Sequence, residues 1–230
     1  MESGELITPG VFTLLTLLLI RFGEKIIEGE LMQTENERRC MSGRRIWKVG
    51  GVCIYAALNF VYIASGMYIP AERFLSLGYV LLYSFFIGIV DAFSHNYYLE
   101  MLPGLLLFIP VGCMTNGIAD TVAGLLAGIC LGIIAAFMEW LFFQRISCGS
   151  GDAVFCSVSS ALIGYGNLTS YWLLLALVLL IAAILHIVYV KAVKKQALSN
   201  NRFVPLLPWF SLVTAGYYAF SLFGLPAGIP

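Results

Sequence analysis

The sequence predicts an all-α, polytopic integral membrane protein with about eight transmembrane helices in a single domain over residues 1–230. Of the 230 residues, 60% are hydrophobic and only 11% are charged, and the mean hydropathy is +0.90. A chain of this composition has too little polar surface for a soluble globule. Several of its apolar runs also approach the roughly 20 residues that cross a hydrocarbon core of about 30 Å.

The apolar runs between polar breaks give the predicted spans in order. They lie near residues 5–20, 48–69, 74–94, 102–117, 119–143, 152–166, 169–190 and 204–223. The fourth and sixth are short, and each lies beside a polar approach that contains glycine or proline. Irregular backbone is tolerated at membrane depth only where protein buries it or water reaches it. The short spans therefore predict a water-filled cavity beside them.

The basic residues predict the orientation of the spans. If residues 21–48 form a cytoplasmic loop, every one of the 13 Lys and Arg residues except Arg73 falls on the cytoplasmic side, as the positive-inside rule requires. The third span then ends at Asp91, and the sixth begins at Asp152 on the same boundary. The sequence therefore predicts a multi-pass protein of the cell inner (plasma) membrane whose two aspartates face the cytoplasm.

Asp91 and the segment Gly149-Ser150-Gly151-Asp152 carry the predicted chemistry. An aspartate at the centre of a membrane helix costs about 2.5–3.5 kcal/mol on insertion scales, so two of them suggest a function. Two carboxyls that share one proton can hydrolyse an amide, because one activates water while the other protonates the scissile carbonyl oxygen. Gly149 and Gly151 lack a Cβ and let another backbone approach Asp152.

Three segments resemble the landmarks of the type IV prepilin peptidases, a family of G-x-G-D intramembrane aspartyl proteases. They are Asp91, the run from Gly149 through Asp152 to Gly164, and Phe203-Val204-Pro205-Leu206-Leu207-Pro208-Trp209, which occur in family order within about residues 85–220. The resemblance implies that Asp91 and Asp152 are the catalytic aspartates, and that Pro205 and Pro208 begin the last helix near the site. It also implies cleavage of a short basic leader, commonly after glycine, from type IV prepilins or pilin-like pseudopilin, competence or secretion precursors.

Two features depart from the family pattern. Pro103 follows Asp91 by twelve residues, a longer interval than in many members, and this changes the local geometry after Asp91. The 21–48 loop holds Cys40 alone and lacks the two C-x-x-C pairs of the bifunctional members. We therefore expect a short form with protease activity and without the N-terminal methyltransferase and zinc domain.

Other functions and other site residues stay open at this stage. The paired aspartates would also suit a proton- or cation-coupled transporter or channel, and the chain could be an inactive peptidase homologue. Ser150 is interpreted as the variable residue of the acidic motif, whereas His95, Glu100 and Glu139 are possible further contributors to the site. We expect no cofactor and no metal, because the chain has no H-E-x-x-H and no C-x-x-C pair. A formal net charge of zero disfavours a nucleic-acid partner.

Overall fold

The computed structural model describes residues 3–31, 37–64, 70–94, 101–143, 150–192 and 207–222. These residues contain helices and no β-strand, so the predicted all-α class is confirmed. Their α-helices are α1 (Ser3–Leu31), α2 (Glu37–Ala64), α3 (Ala71–Ser94), α4 (Leu102–Leu106), α5 (Phe108–Asn116), α6 (Ile118–Phe143), α7 (Ser150–Ile163), α8 (Leu168–Ala192) and α9 (Leu207–Leu222). The 3₁₀ turn Tyr165–Asn167 precedes α8.

Four segments of the described helices are long and apolar enough to cross a membrane. They are Arg44–Ile63, Ala71–Ala92, Ile118–Met138 and Tyr165–Leu185. Large apolar side chains such as Ile133 (64% exposed) and Leu173 (67% exposed) lie on the surface of two of them. A surface of this kind is compatible with a membrane protein. The sequence predicts about eight spans, whereas the described residues contain four helical segments of this length and hydropathy.

The remaining predicted spans correspond to shorter or interrupted helices. The fourth is divided into α4 and α5, and at the break the Leu107 N–H donates to the Gly104 carbonyl oxygen (3.2 Å). The sixth corresponds to α7, whose 14 residues extend about 21 Å at 1.5 Å per residue. The predicted loop 21–48 is largely helical, because α1 continues to Leu31 and α2 begins at Glu37.

The chain divides into two compact units, Met1–Leu107 with Tyr218–Pro230, and Phe108–Tyr217. In the first unit, α1, α2 and α3 pack around aromatic side chains. The Phe12 ring stacks on Tyr55 with a centroid separation of 5.4 Å and meets Phe74 edge-on at 4.9 Å. Trp47 is fully buried, and its Nε1 donates to the Ile20 carbonyl oxygen (3.0 Å). This bond joins α2 to α1.

In the second unit, α7 packs against α5 and α6 through glycines. A Cβ built on Gly112 of α5 would lie 2.6 Å from the Ala161 carbonyl oxygen, and one built on Gly124 of α6 would lie 2.5 Å from the Ser160 carbonyl oxygen. Real Cβ atoms do not approach backbone this closely. The backbones of α5 and α6 therefore lie directly against α7, and only glycine permits these contacts. That residues 1–230 form a single domain stays a prediction.

Candidate active site

Asp91 lies in the last turn of α3 and belongs to the first unit. Tyr83, Ile87 and Asp91 follow one another at intervals of four residues, which places them on one face of the helix. All three are buried, and Asp91 is 9% exposed. Upstream on the same helix, the Tyr83 hydroxyl donates to the Met101 carbonyl oxygen, which lies just before α4. A buried ionisable side chain in an apolar membrane helix usually has a function, so Asp91 is a candidate site residue.

Asp152 lies in the first turn of α7 and belongs to the second unit. Its side chain is half-buried, whereas Gly151 before it is buried. Ser150 is the first residue of α7, and Gly149 lies outside the described residues. The first turn of an α-helix carries unsatisfied backbone N–H groups and the positive end of the helix dipole, so it stabilises a carboxylate. The G-x-G-D motif therefore leads directly into a helix that favours a negative charge on Asp152.

The Asp152 side chain lines an apolar cavity of about 380 Å³ within the second unit. Helices α6, α7 and α8 supply most of the lining, and α9 contributes Phe210. Of the described residues that line the cavity, Asp152 is the one that carries a charge, and Cys156 lies one turn further along α7. Trp172 also lines the cavity, and its Nε1 donates to the Ser160 Oγ (3.3 Å). The carboxylate is thus presented to a space that is otherwise almost entirely apolar.

The proline-containing segment leads to the same cavity. Pro208 is the second residue of α9, and its carbonyl oxygen accepts a hydrogen bond from the Ser211 Oγ (2.9 Å). Phe210, two residues after Pro208, lines the Asp152 cavity and packs against the buried Phe155 with a centroid separation of 6.4 Å. The start of α9 therefore contributes to the surroundings of Asp152. Pro205 lies outside the described residues.

The other predicted site residues are distributed as follows. Asp91 and Asp152 belong to different units, each described by itself, so their pairing stays a prediction. His95 and Glu100 lie outside the described residues, and Glu139 lies in α6 with its side chain outside the description. Within the described part of the chain, no group of three or more His, Cys, Asp or Glu side chains is arranged to hold a metal ion.

No family model, curated protein or solved structure matches the chain.

The cavity itself was not predicted from the sequence in this form. The short sixth span suggested a water-filled space, whereas the space beside Asp152 is lined mainly by apolar side chains. Trp172, Leu175 and Phe210 belong to apolar helices in which no polar residue marks the cavity-lining positions. Asp152 and Pro208 are the sequence signals that point to this region. An apolar wall beside a carboxylate lowers the local dielectric, which strengthens the interaction of that carboxylate with any polar group brought to it.

Proposed function

We propose that the protein is a membrane aspartyl endopeptidase that removes the basic leader from type IV prepilins or pilin-like precursors at the cytoplasmic membrane boundary. The observation that carries this proposal is Asp152 in the first turn of α7, at the wall of an apolar cavity. A carboxylate in this position can act on the junction between a polar leader and an apolar segment, because it lies where a polar helix end meets apolar surroundings. The resemblance of the G-x-G-D motif to the prepilin peptidases points to the same substrates.

The proposed reaction uses Asp91 and Asp152 as a pair with one shared proton. The ionised carboxylate accepts a proton from water while the water oxygen attacks the carbonyl carbon of the scissile bond. The protonated carboxyl donates its proton to the carbonyl oxygen. On collapse of the tetrahedral intermediate the C–N bond breaks, the carboxyl that took the water proton passes it to the leaving nitrogen, and a hydroxyl of the intermediate returns a proton to the other carboxylate. The products are a leader with a free carboxylate and a mature chain with a new amino terminus.

The positions of Asp91 and Asp152 within their helices favour one assignment of the shared proton. A negative charge is stabilised in the first turn of a helix and destabilised in the last, by about 0.3–1 kcal/mol at exposed sites. Asp152 is in the first turn of α7 and Asp91 is in the last turn of α3, where it is also more deeply buried. We therefore assign the base to Asp152 and the proton to Asp91 at the start of the reaction.

The proposal includes the membrane arrangement predicted from the sequence. Eight spans, with residues 21–48 in the cytoplasm, place Asp91 and Asp152 at the inner boundary of the cell inner membrane. A precursor with a short basic leader and a following apolar helix would present its cleavage site at the same depth. The proposed partners are therefore the precursor and the lipid bilayer, with no nucleic acid and no cofactor.

The composition of the cavity favours hydrolysis over the transporter alternative. Ions and protons cross membranes along polar or charged groups. Among the described residues, the lining around Asp152 contains no second charged side chain and is dominated by leucine, alanine and aromatic side chains. An apolar substrate segment fits such a lining better than a hydrated cation does.

Coexpression with a tagged pilin-like precursor tests the proposed function. We expect the wild-type protein to shorten the precursor by the length of its leader, and amino-terminal sequencing to show one cut at the end of the basic segment. An Asp152→Asn variant, present in the membrane at the wild-type level, should leave the precursor intact. A precursor that is shortened equally by both forms would exclude Asp152 from the reaction and remove the basis of the proposal.

A further inference from the structure

Basic side chains are concentrated in one part of the first unit, on α1 and α2. They are Arg21, Lys25, Arg44, Arg45 and Lys48. Arg44 is half-buried, and the other four are exposed. Among the described side chains of residues 21–26 and 44–48, Glu24 is the one acidic group. The five basic residues and this glutamate, which we call the basic cluster, leave a net formal charge of +4.

The helical spacing of these residues places them on one face of each helix. On α1, Arg21, Glu24 and Lys25 follow the i, i+3, i+4 pattern of side chains that are neighbours on a helix surface. On α2, Arg44 and Lys48 are one turn apart. Glu24 joins the two faces, because its Oε1 accepts a hydrogen bond from the Arg44 Nε (3.0 Å) and also contacts the Lys48 Nζ. The two faces therefore form one continuous basic surface.

The two helices are in direct contact beside the basic cluster. A Cβ built on Gly23 of α1 would lie 2.5 Å from the Trp47 Nε1 of α2, closer than real Cβ atoms come. Gly23 and Trp47 are both buried. Because this glycine and this indole occupy the buried side of the contact, the basic side chains lie on its exposed side. Cations from both helices can therefore reach one small anion.

Exposed apolar side chains continue from the basic cluster along both helices. Leu18 and Phe22 are exposed on α1, and Val49 and Val52 are exposed on α2. The α2 segment Arg44–Ile63 is one of those long and apolar enough to cross a membrane. The basic cluster thus lies at the end of an apolar surface, which is the level of the phospholipid headgroups when this segment spans a bilayer.

We propose that the basic cluster binds the phosphodiester headgroup of an anionic phospholipid, whose acyl chains lie against the exposed apolar side chains beside it. Basic pockets between membrane helices at the cytoplasmic boundary bind anionic headgroups, and the proposed threading places the cluster at that boundary. A zwitterionic headgroup brings as much positive as negative charge and gains less from the cluster. The adjoining apolar surface favours a lipid over a soluble phosphate, because only the lipid buries apolar area there. This inference does not depend on the reaction proposed for Asp91 and Asp152.

The test titrates the full-length protein, purified in a neutral detergent at about 0.1 M salt, with fluorescent phosphatidylglycerol and separately with fluorescent phosphatidylcholine. We expect the wild-type protein to bind phosphatidylglycerol at least about tenfold more tightly. Arg21→Gln/Lys25→Gln leaves the contacts of Glu24 in place. It should lower the phosphatidylglycerol affinity by about tenfold or more, since each basic residue near an anionic lipid surface contributes about fivefold, and should leave the phosphatidylcholine affinity unchanged. Arg73→Gln removes an exposed basic residue of α3 outside the cluster and should keep the wild-type affinities.

A second variant and a soluble competitor complete the test. Arg45→Gln, a single exchange on α2, should weaken phosphatidylglycerol binding by about fivefold, and thermal unfolding in lipid-free detergent verifies that each variant is folded. Equal wild-type affinities for the two lipids, or unchanged phosphatidylglycerol affinity in both cluster variants, would overturn the proposal. An equal loss in Arg73→Gln would also overturn it, because the attraction would then come from overall charge. If glycerol 3-phosphate displaces phosphatidylglycerol at equal concentration, the cluster is a site for a soluble anion and the lipid assignment is wrong.

Discussion

A Cβ built on Gly128 of α6 would lie 2.7 Å from the Cα of Ser157 of α7. This separation is shorter than real Cβ contacts, and the nearest atom belongs to backbone that cannot rotate away. One turn further along α6, a Cβ on Gly132 would meet the Ala153 Cβ at 3.4 Å, which is an ordinary contact. The contact at Gly128 therefore helps to set the position of α7 and, with it, the position of Asp152.

We expect the same substitution to have opposite effects on stability at Gly128 and Gly132. Gly128→Ala should lower the free energy of unfolding by about 1–3 kcal/mol, the usual cost of overpacking. Gly132→Ala should be neutral or stabilising, because alanine gains about 0.5–1 kcal/mol over glycine within a helix. Thermal unfolding of both variants in detergent measures the difference. Equal midpoints would contradict the close approach of α6 to α7.

A polar contact fixes the opposite end of the second unit. The Asp120 Oδ1, in the first turn of α6, accepts a hydrogen bond from the Gly166 N–H (3.1 Å). Gly164 has a positive φ of 80°, and a Cβ there would clash with the Asp120 carboxylate. The Asn116 side-chain amide donates to the Leu162 carbonyl oxygen (2.8 Å) nearby. These bonds tie the start of α6 to the turn before α8, and the end of α5 to the end of α7.

Asp120→Ala should destabilise the protein by about 1 kcal/mol, the net contribution of a typical hydrogen bond. Asp120→Asn retains an acceptor oxygen of the same reach and should lose less than the alanine variant. Denaturation of the two variants side by side, together with wild type, is the measurement. If asparagine and alanine prove equally destabilising, the hydrogen bond to Gly166 does not contribute and the contact is incidental.

Replacing Trp47 should strongly destabilise the first unit. Its side chain is fully buried, contacts the Phe86 ring with a centroid separation of 5.2 Å and bonds the Ile20 carbonyl oxygen. Trp47→Ala should cost about 3–5 kcal/mol because it creates a cavity and removes the hydrogen bond between α1 and α2. Trp140 is 54% exposed, so Trp140→Ala should change stability by less than about 0.5 kcal/mol. Similar losses in both would show that the packing around Trp47 is not what stabilises this unit.

Part of the fold could be predicted because its signals are local. Composition together with apolar runs near 20 residues predicts the all-α class, and the apolar run that ends at Asp91 predicts the last turn of α3. The apolar run that begins at Asp152 predicts a helix there, and α7 starts two residues earlier, at Ser150. The division of the fourth span also has a local cause, since Pro110 in the first turn of α5 has no N–H to donate to the Leu106 carbonyl and its ring clashes with that carbonyl.

The rest of the fold and of the candidate site depends on tertiary contacts that cannot be recognised in a single sequence. Glycine is frequent in membrane helices, so nothing distinguishes Gly128, which meets backbone, from Gly132, which does not. Trp172 and Phe210 line the cavity from helices that are apolar throughout, so their positions around Asp152 emerge only when α7, α8 and α9 are folded together. The number of spans is also poorly constrained, because helices such as α7 are shorter than the bilayer core.

The most direct measurement compares single-turnover cleavage of one precursor by wild type, Asp91→Asn, Asp152→Asn and the double variant, all purified and reconstituted in vesicles. Residues that act as one catalytic unit give non-additive losses. We predict that both single variants and the double variant fall to the same background rate while their helical content stays at the wild-type level. A single variant that keeps a near-wild-type rate, or two partial losses that multiply in the double variant, would contradict catalysis by a shared pair of carboxyls.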